Sequence, residues 1–382
     1  MIVLEELLKY VIDNGASDLH VKVGSRPFVR IDGHLDETPF DQVEPSDTEK
    51  ISNAILPERR LREFQETNEA DFAHGVPGLG RFRVNVFRQR GSVGLVFRRV
   101  LAGIPTLDEL GLPPIVRRLA EEQRGLVLVT GPTGSGKTTT VASMIDHINN
   151  SQCRHIVTIE DPIEVLHRDR CSIVNQREIG SDTDDYHAAL KHVLRQDPDV
   201  IFIGEMRDAE TVWAGLAAAE TGHLVFATLH TTNAAETINR VIDFFPPHQH
   251  RQIRMSIAAS IRGILSQRLL ERVDNKGRVA ACEGLIGTGR VFDRISNDAV
   301  HELEEVIADG EYYGMQTFDQ HLFNLYKNGM IDLRSAFAAA SHPHDLRVAM
   351  QQAGLATGTA DPELGGEAAG KAARSVRAAV ES

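Results

Sequence analysis

Gly131-Pro132-Thr133-Gly134-Ser135-Gly136-Lys137-Thr138 has the residue types and spacing that bind a polyphosphate. Glycines reach backbone angles closed to other residues, so successive N–H groups can converge on one anion. Lys137 adds a mobile positive charge for the outer phosphates, and Thr138 adds a hydroxyl for Mg²⁺. The flanks give the match its weight. A short apolar run, Leu126-Val127-Leu128-Val129, leads in, and a helix-forming run, Thr139-Thr140-Val141-Ala142-Ser143-Met144-Ile145, leads out. A helix starting there aims its unpaired N–H groups and positive dipole end at the same anion. A chance glycine-rich turn would lack both neighbours, so residues 131–139 are read as a nucleotide-binding loop.

Three further segments carry groups able to act on a bound nucleotide. Thr158-Ile159-Glu160-Asp161-Pro162-Ile163-Glu164 sets carboxylates just beyond a buried strand, and in an open parallel sheet ligands gather where strands end. One of these acids is placed to orient or deprotonate water; the blander reading is a turn with Asp161-Pro162 at its corner. Asp199-Val200-Ile201-Phe202-Ile203-Gly204-Glu205 is an apolar strand ending in an acid, the pattern that holds Mg²⁺ through its water shell, with Arg207 and Asp208 as braces. Thr221-Gly222-His223-Leu224-Val225-Phe226-Ala227-Thr228-Leu229-His230 brackets a strand with His223 and His230. Either these are structural or they sense the outer phosphate by hydrogen bonding. Arg81, Arg83, Arg98 and Arg99 place cations on a sheet surface. A solvated face is the default there, although arginine also bridges phosphate charge from outside a site.

The elements that must position these groups divide by pattern. Val3, Leu4, Leu7, Leu8, Val11 and Ile12 recur at helical spacing. Phe28 to Ile31 runs into Asp32-Gly33, a hairpin signal, and Ser46 is placed to cap a helix carrying Ile51, Ile55 and Leu61. Phe82, Val84 and Val86 alternate with Arg81, Arg83 and Asn85, and Val93 to Val100 returns as a second strand. Residues 1–100 are thus expected to form a small α+β domain. Residues 101–114, with Pro105, Gly111, Pro113 and Pro114, read as a flexible linker. Residues 115–270 alternate strands (Leu126–Thr130, Ile156–Ile159, Val200–Ile203, Leu224–Ala227) with helical segments, which predicts an α/β core with a mostly parallel sheet. Residues 271–355 are expected to hold a hairpin around Asp274-Asn275-Lys276-Gly277 and a helical region. Residues 356–382, built of Ala, Gly and charged residues, read as disordered.

Composition narrows the classes of function. At 382 residues, 42% hydrophobic and 25% charged, the chain is of soluble globular type. A net charge of −13 argues against sequence-independent nucleic-acid binding, which needs clustered cations to displace counterions. No apolar run approaches the ~20 residues of a membrane span. The N-terminus lacks the basic start of a signal peptide. Cys153, Cys171 and Cys282 make no C-x-x-C pair, so neither a zinc site nor a disulfide framework is expected. The chain reads as cytoplasmic, without direct membrane insertion, and touching a membrane only through a partner.

The order of these motifs resembles the secretion-superfamily ATPases, most closely the type IV pilus retraction ATPases of the PilT/PilU kind. The resemblance runs from about Leu4 to Leu346. It includes Ala16-Ser17-Asp18-Leu19-His20, Arg30-Ile31-Asp32-Gly33, Arg81-Phe82-Arg83-Val84-Asn85 and the phosphate loop. It continues through the acidic box, Asn175-Gln176-Arg177-Glu178, the acidic strand end, the histidine box and Gly314-Met315-Gln316-Thr317-Phe318-Asp319-Gln320. It implies a homohexameric ring of PAS-like first domains packed on neighbouring RecA-like domains, with ATP and Mg²⁺ between subunits. It also implies that Glu164 is the catalytic base, that Thr138 and Glu205 serve Mg²⁺, and that His230, and less directly His223, contact phosphate. Arg83 and Arg98 match arginines that reach the nucleotide across or within the ring. The implied work is pilus retraction and twitching motility, against an inner-membrane pilus platform protein at the inner face of the cytoplasmic membrane.

Pilus extension and type II secretion ATPases carry a long extra N-terminal region and a four-cysteine zinc insertion, and neither is present in this sequence. One departure stands out. Where retraction ATPases carry an Ala-Ile-Arg-Asn-Leu-Ile-Arg-like motif, this chain reads Arg290-Val291-Phe292-Asp293-Arg294-Ile295-Ser296. An accessory or atypical pilus or secretion motor is therefore an alternative. A RecA-like nucleic-acid translocase is a rival that the acidic charge disfavours. A scaffold without turnover is disfavoured by the presence of Lys137, Glu164 and Glu205.

Overall fold

The computed structural model describes residues 2–31, 33–100, 103–274 and 277–355. Asp32, Asn275, Lys276, residues 101–102 of the predicted linker and the tail predicted as disordered, 356–382, lie outside them. The chain opens with helix α1 (Leu4–Asp13), strands β1 (Asp18–Lys22), β2 (Phe28–Ile31) and β3 (His34–Glu37), and helices α2 (Pro45–Ile55) and α3 (Glu58–Thr67). Strands β4 (Glu69–Val76), β5 (Gly80–Gln89) and β6 (Ser92–Arg99) complete a six-stranded antiparallel sheet, ordered β3-β2-β1-β6-β5-β4. Period-two alternation on β5 sends Phe82, Val84 and Val86 into a core shared with Leu95 and Phe97 of β6 and Leu7, Leu8 and Val11 of α1.

The opposite face carries charge. Register aligns Arg30, Asp18, Arg98, Arg83 and Ala73 in one row across the strands. Arg99, expected to share that face, stands opposite Phe82 and so belongs to the other one. The helix predicted from Ser46 also differs. Glu44 is its N-cap, with Asp47 closing a capping box, and Leu61 belongs to α3 because Pro57 separates the two helices.

The second domain begins with α4 (Ile115–Ala120), β7 (Gly125–Thr130), α5 (Lys137–Ser151), β8 (His155–Glu160), β9 (Ile173–Glu178) and α6 (Tyr186–Val193). It continues with β10 (Val200–Ile203), α7 (Ala209–Glu220), β11 (Leu224–Leu229), α8 (Ala234–Asp243), α9 (His250–Ser260), β12 (Ile261–Glu271) and β13 (Arg278–Ile286). Its seven-stranded sheet is ordered β13-β12-β7-β11-β10-β8-β9, parallel except for β13. The four predicted strands of this region match β7, β8, β10 and β11. The hairpin expected beyond the core is part of the core: β12 pairs with β7, and Ile264, Leu265, Cys282 and Leu285 are buried in the same cluster as β7.

The predicted linker is pinned at its middle, because Leu107 packs into that cluster. Helices α10 (Gly289–Ser296) and α11 (Leu303–Ala308) cover the cluster further. Helices α12 (Phe318–Lys327), α13 (Leu333–Ala339) and α14 (Pro343–Gln352) form a separate apolar unit around Phe318, Leu322 and Met350, seated on Val279 and Ala281 of β13. Among the described residues no helix is long and apolar enough to cross a membrane.

Candidate active site

The loop from β7 to α5 is shaped by its glycines. A Cβ on Gly131 would collide with the Gln267 carbonyl of β12 and the Ser135 side chain, so only glycine lets the loop lie this close to the sheet. Gly136 caps α5 at φ 91°, in the left-handed region. Lys137, the first residue of α5, turns back over the loop. Its Nζ donates to the carbonyls of Gly131 at 2.8 Å and Pro132 at 3.1 Å and lies 3.3 Å from Nδ1 of His230. Burial lowers the pKa of Lys137, opposed by the nearby carboxylates of Glu205 and Glu164.

His230 follows β11 and Glu205 follows β10, so neighbouring parallel strands deliver both to the same end of the sheet. An ammonium has only donors, so His230 Nδ1 must accept from Lys137, which leaves its proton on Nε2. That nitrogen lies 3.1 Å from Glu205 Oε1. The other Glu205 oxygen accepts from Arg207 Nε at 2.8 Å and Nη2 at 2.7 Å. A continuous line, Lys137–His230–Glu205–Arg207, therefore crosses the site. Asp208, expected to brace Glu205, instead caps α7 by accepting from the Thr211 amide at 2.8 Å.

His223 lies elsewhere. It precedes β11, and its carbonyl accepts from the amide of Gly125 at 2.9 Å, at the start of β7. A strand of this length separates its two ends by roughly 20 Å. The expectation that both histidines meet the phosphate is therefore corrected: His223 sits at the opposite end of β11, with Nδ1 3.0 Å from the Ala218 carbonyl.

The acids of the box after β8 differ in environment. Glu160 is only 6% exposed, and its Oε1 accepts from Thr158 Oγ1 at 2.7 Å and Gln176 Nε2 at 3.2 Å. Burial pushes its carboxyl up to about 7. Glu164 is more open and meets Arg83 Nη1 of the first domain at 3.5 Å. Arg98 does not reach this place in the chain. Its Nε donates to buried Asp18 at 2.7 Å, within the first domain's own sheet.

Together these groups line a cleft of about 450 Å³, the size of a small-molecule site. Its walls include Thr133, Gly134, Gly136, Lys137, Thr138, Thr139, Glu164, Glu205 and His230. Gly131, Pro132 and Ser135 belong to the loop but do not line the cleft. Sequence reasoning missed Tyr186 of α6, Leu269 of β12 and Arg278 of β13, which also line the cleft. Arg278 was hidden by the reading that placed residues from 271 onward outside the core, and Leu269 by the lack of any strand expected over Ile261–Glu271. Among the described residues no group of three or more His, Cys, Asp or Glu is clustered to hold a metal. The oxygen donors on the cleft wall, the Thr138 hydroxyl and the Glu205 carboxylate, fit Mg²⁺, which takes one or two protein ligands and fills its shell with phosphate and water.

Residues 1–304 match the family model described as "Type II/IV secretion system protein". The "Type IV pilus retractation ATPase PilT" of Pseudomonas aeruginosa is 43% identical over 342 residues, covering 90% of this chain and 99% of the relative. "Type IV pilus ATPase PilU" of the same organism is also 43% identical, over 344 residues, covering 90% of each chain. A crystal structure of the pilus retraction motor PilT with bound ADP aligns at a TM-score of 0.84 and 46% identity, covering 90% of this chain and 99% of that one.

Proposed function

The chain belongs to the type II/IV secretion ATPase family, in its PilT/PilU pilus-retraction branch, and on that basis we propose a ring motor that retracts a type IV pilus. It is an ATP hydrolase. The observation that carries the reading is the Lys137–His230–Glu205 line across a phosphate-loop cleft at the carboxyl ends of β7, β11 and β10.

Each residue then has a task. Lys137 exchanges the carbonyls of Gly131 and Pro132 for phosphate oxygens and offsets the charge that builds on them during transfer. The loop amides and the start of α5 hold the remaining phosphates. Glu164, an exposed acid of its box that meets Arg83, accepts a proton from the attacking water. His230, already held by Lys137 and Glu205, registers the outer phosphate when Lys137 turns toward it. Thr138 and Glu205 would hold Mg²⁺, which when bound supplies further neutralisation of phosphate charge. Arg83 approaches from the first domain and adds a cation at the rim. Arg98 is assigned to Asp18 instead.

Residues 1–100 are read as a PAS-like module joined by the linker to a RecA-like ATPase domain that includes the β12–β13 hairpin. The active species is a homohexamer in the cytoplasm, working against a membrane-embedded platform protein. Equal identity to PilT and PilU supports a second reading, an accessory to another retraction motor. Steady-state ATPase assays on the purified ring test the proposal: Lys137→Ala should lose at least about 100-fold in turnover. Equal turnover in the two proteins would remove the site from the chemistry.

A further inference from the structure

The first domain touches the ATPase domain through several charged pairs, and they are not equivalent. Arg59 and Asp184 meet at 2.8 Å with both side chains largely in water, a contact of little consequence. Arg81 and Glu178 meet at 2.7 Å with the glutamate side chain only 3% exposed. Glu178 ends β9 beside Glu160 of β8. Its Oε2 accepts from Arg81 Nη2 and also, at 3.1 Å, from the backbone N–H of Ile163. Ile163 is buried and immediately precedes Glu164. On β5, Arg81 and Arg83 share one face two positions apart. One strand thus grips the amide before Glu164 through Glu178 and meets the Glu164 carboxylate directly through Arg83.

We propose that Arg81 and Glu178 are positioning residues for hydrolysis. Their ion pair holds the Ile163 amide, and so the Glu164 carboxylate, in place only while the first domain is seated. The inference rests on Glu164 being the base. A shift of the first domain by an ångström or so breaks a contact of this length. Without its cation Glu178 is a buried, uncompensated charge left with the Ile163 amide and, at 3.3 Å, the Ser181 hydroxyl, a strongly unfavourable state that favours its rearrangement. The position of Glu164 then depends on the angle between domains, and the catalytic step is tied to domain movement.

The test uses the full-length ring, with single-turnover hydrolysis and binding of a non-hydrolysable ATP analogue measured side by side. Arg81→Gln should slow hydrolysis at saturation by about tenfold while analogue affinity changes by less than about threefold, and Arg81→Lys should recover most of the rate. If the pair acts through Glu164, Arg81→Gln should cost less than about twofold in a Glu164→Gln background. Glu178→Gln keeps an acceptor for Ile163 and supplies the same comparison if Arg81→Gln does not fold. Equal losses in both backgrounds, affinity falling in step with rate, or no recovery by lysine would each overturn the proposal. Failure of the ATPase assignment itself would appear separately, as hydrolysis in the unmodified chain that is insensitive to Lys137→Ala.

Discussion

Replacing Glu283 with glutamine should make the ATPase domain more stable, and only at higher pH. Glu283 lies on β13, 6% exposed, and its Oε1 accepts from the Ala234 amide at 2.7 Å, pinning the start of α8 just beyond His230. Burial pushes its carboxyl from 4.5 to about 7, against the opposing pull of the Ala234 amide. The folded state therefore binds this proton more tightly than the unfolded chain. The stability it confers is full below pH 4.5 and is lost as pH rises through about 7. A difference of about 2.5 units at 1.36 kcal/mol each amounts to about 3 kcal/mol. Glutamine keeps the acceptor for Ala234 and cannot ionise. Glu283→Gln should thus exceed the native chain by up to about 3 kcal/mol at pH 8, and by less than about 1 kcal/mol at pH 5. Glu160, raised like Glu283, and His167 and His321, lowered by burial to about 4, titrate in both proteins and cancel in the difference. Denaturant unfolding followed by Trp213, the single tryptophan, reports on α7 of the same domain. Arg268 lies near enough to Glu283 to oppose the upward shift, so a variant less stable than the native chain at pH 8 would refute the reasoning and mean that Glu283 is a charge held by that cation.

Glu164→Gln should slow hydrolysis by roughly 10²–10³-fold with ATP affinity nearly unchanged; collapse of affinity with high residual turnover would make Glu164 a binding residue. Arg98→Ala should weaken the first domain by about 2 kcal/mol, because buried Asp18 keeps only Ser17 and a distant Arg30, while turnover stays near normal. Lost turnover without lost stability would instead place Arg98 at a neighbour's nucleotide. Cryo-EM of rings without nucleotide, with ADP and with an ATP analogue should show the two domains changing angle about the linker, ahead of the point where Leu107 anchors it, each domain nearly rigid; identical angles would mean that nucleotide does not move the domains.

Much of the second sheet was legible because its strands are buried on both faces and read as unbroken apolar runs, as in Leu126 to Val129. The phosphate loop was legible because glycine spacing and flanking elements agree. Strand β9 was not predicted, since it lies at an edge with mixed exposure and its residues carry no periodic signal. Leu269 and Arg278 reach the cleft only because β12 pairs in parallel with β7, a long-range contact that local pattern does not encode. The His223 error was avoidable, because residues at the two ends of one strand cannot share a site. Arg81 and Glu178 were each visible within a motif, but nothing in the sequence pairs them: they are distant in sequence and meet only when the domains pack.

The central claim is that ATP hydrolysis in this cleft pulls a pilus. Fluorescently labelled pili should be imaged in cells where the native copy is replaced by Glu164→Gln, beside cells carrying the unmodified chain and confirmed equal expression. Pili should retract with the unmodified chain and stay extended with the variant. Retraction at equal speed and frequency in both would contradict that claim.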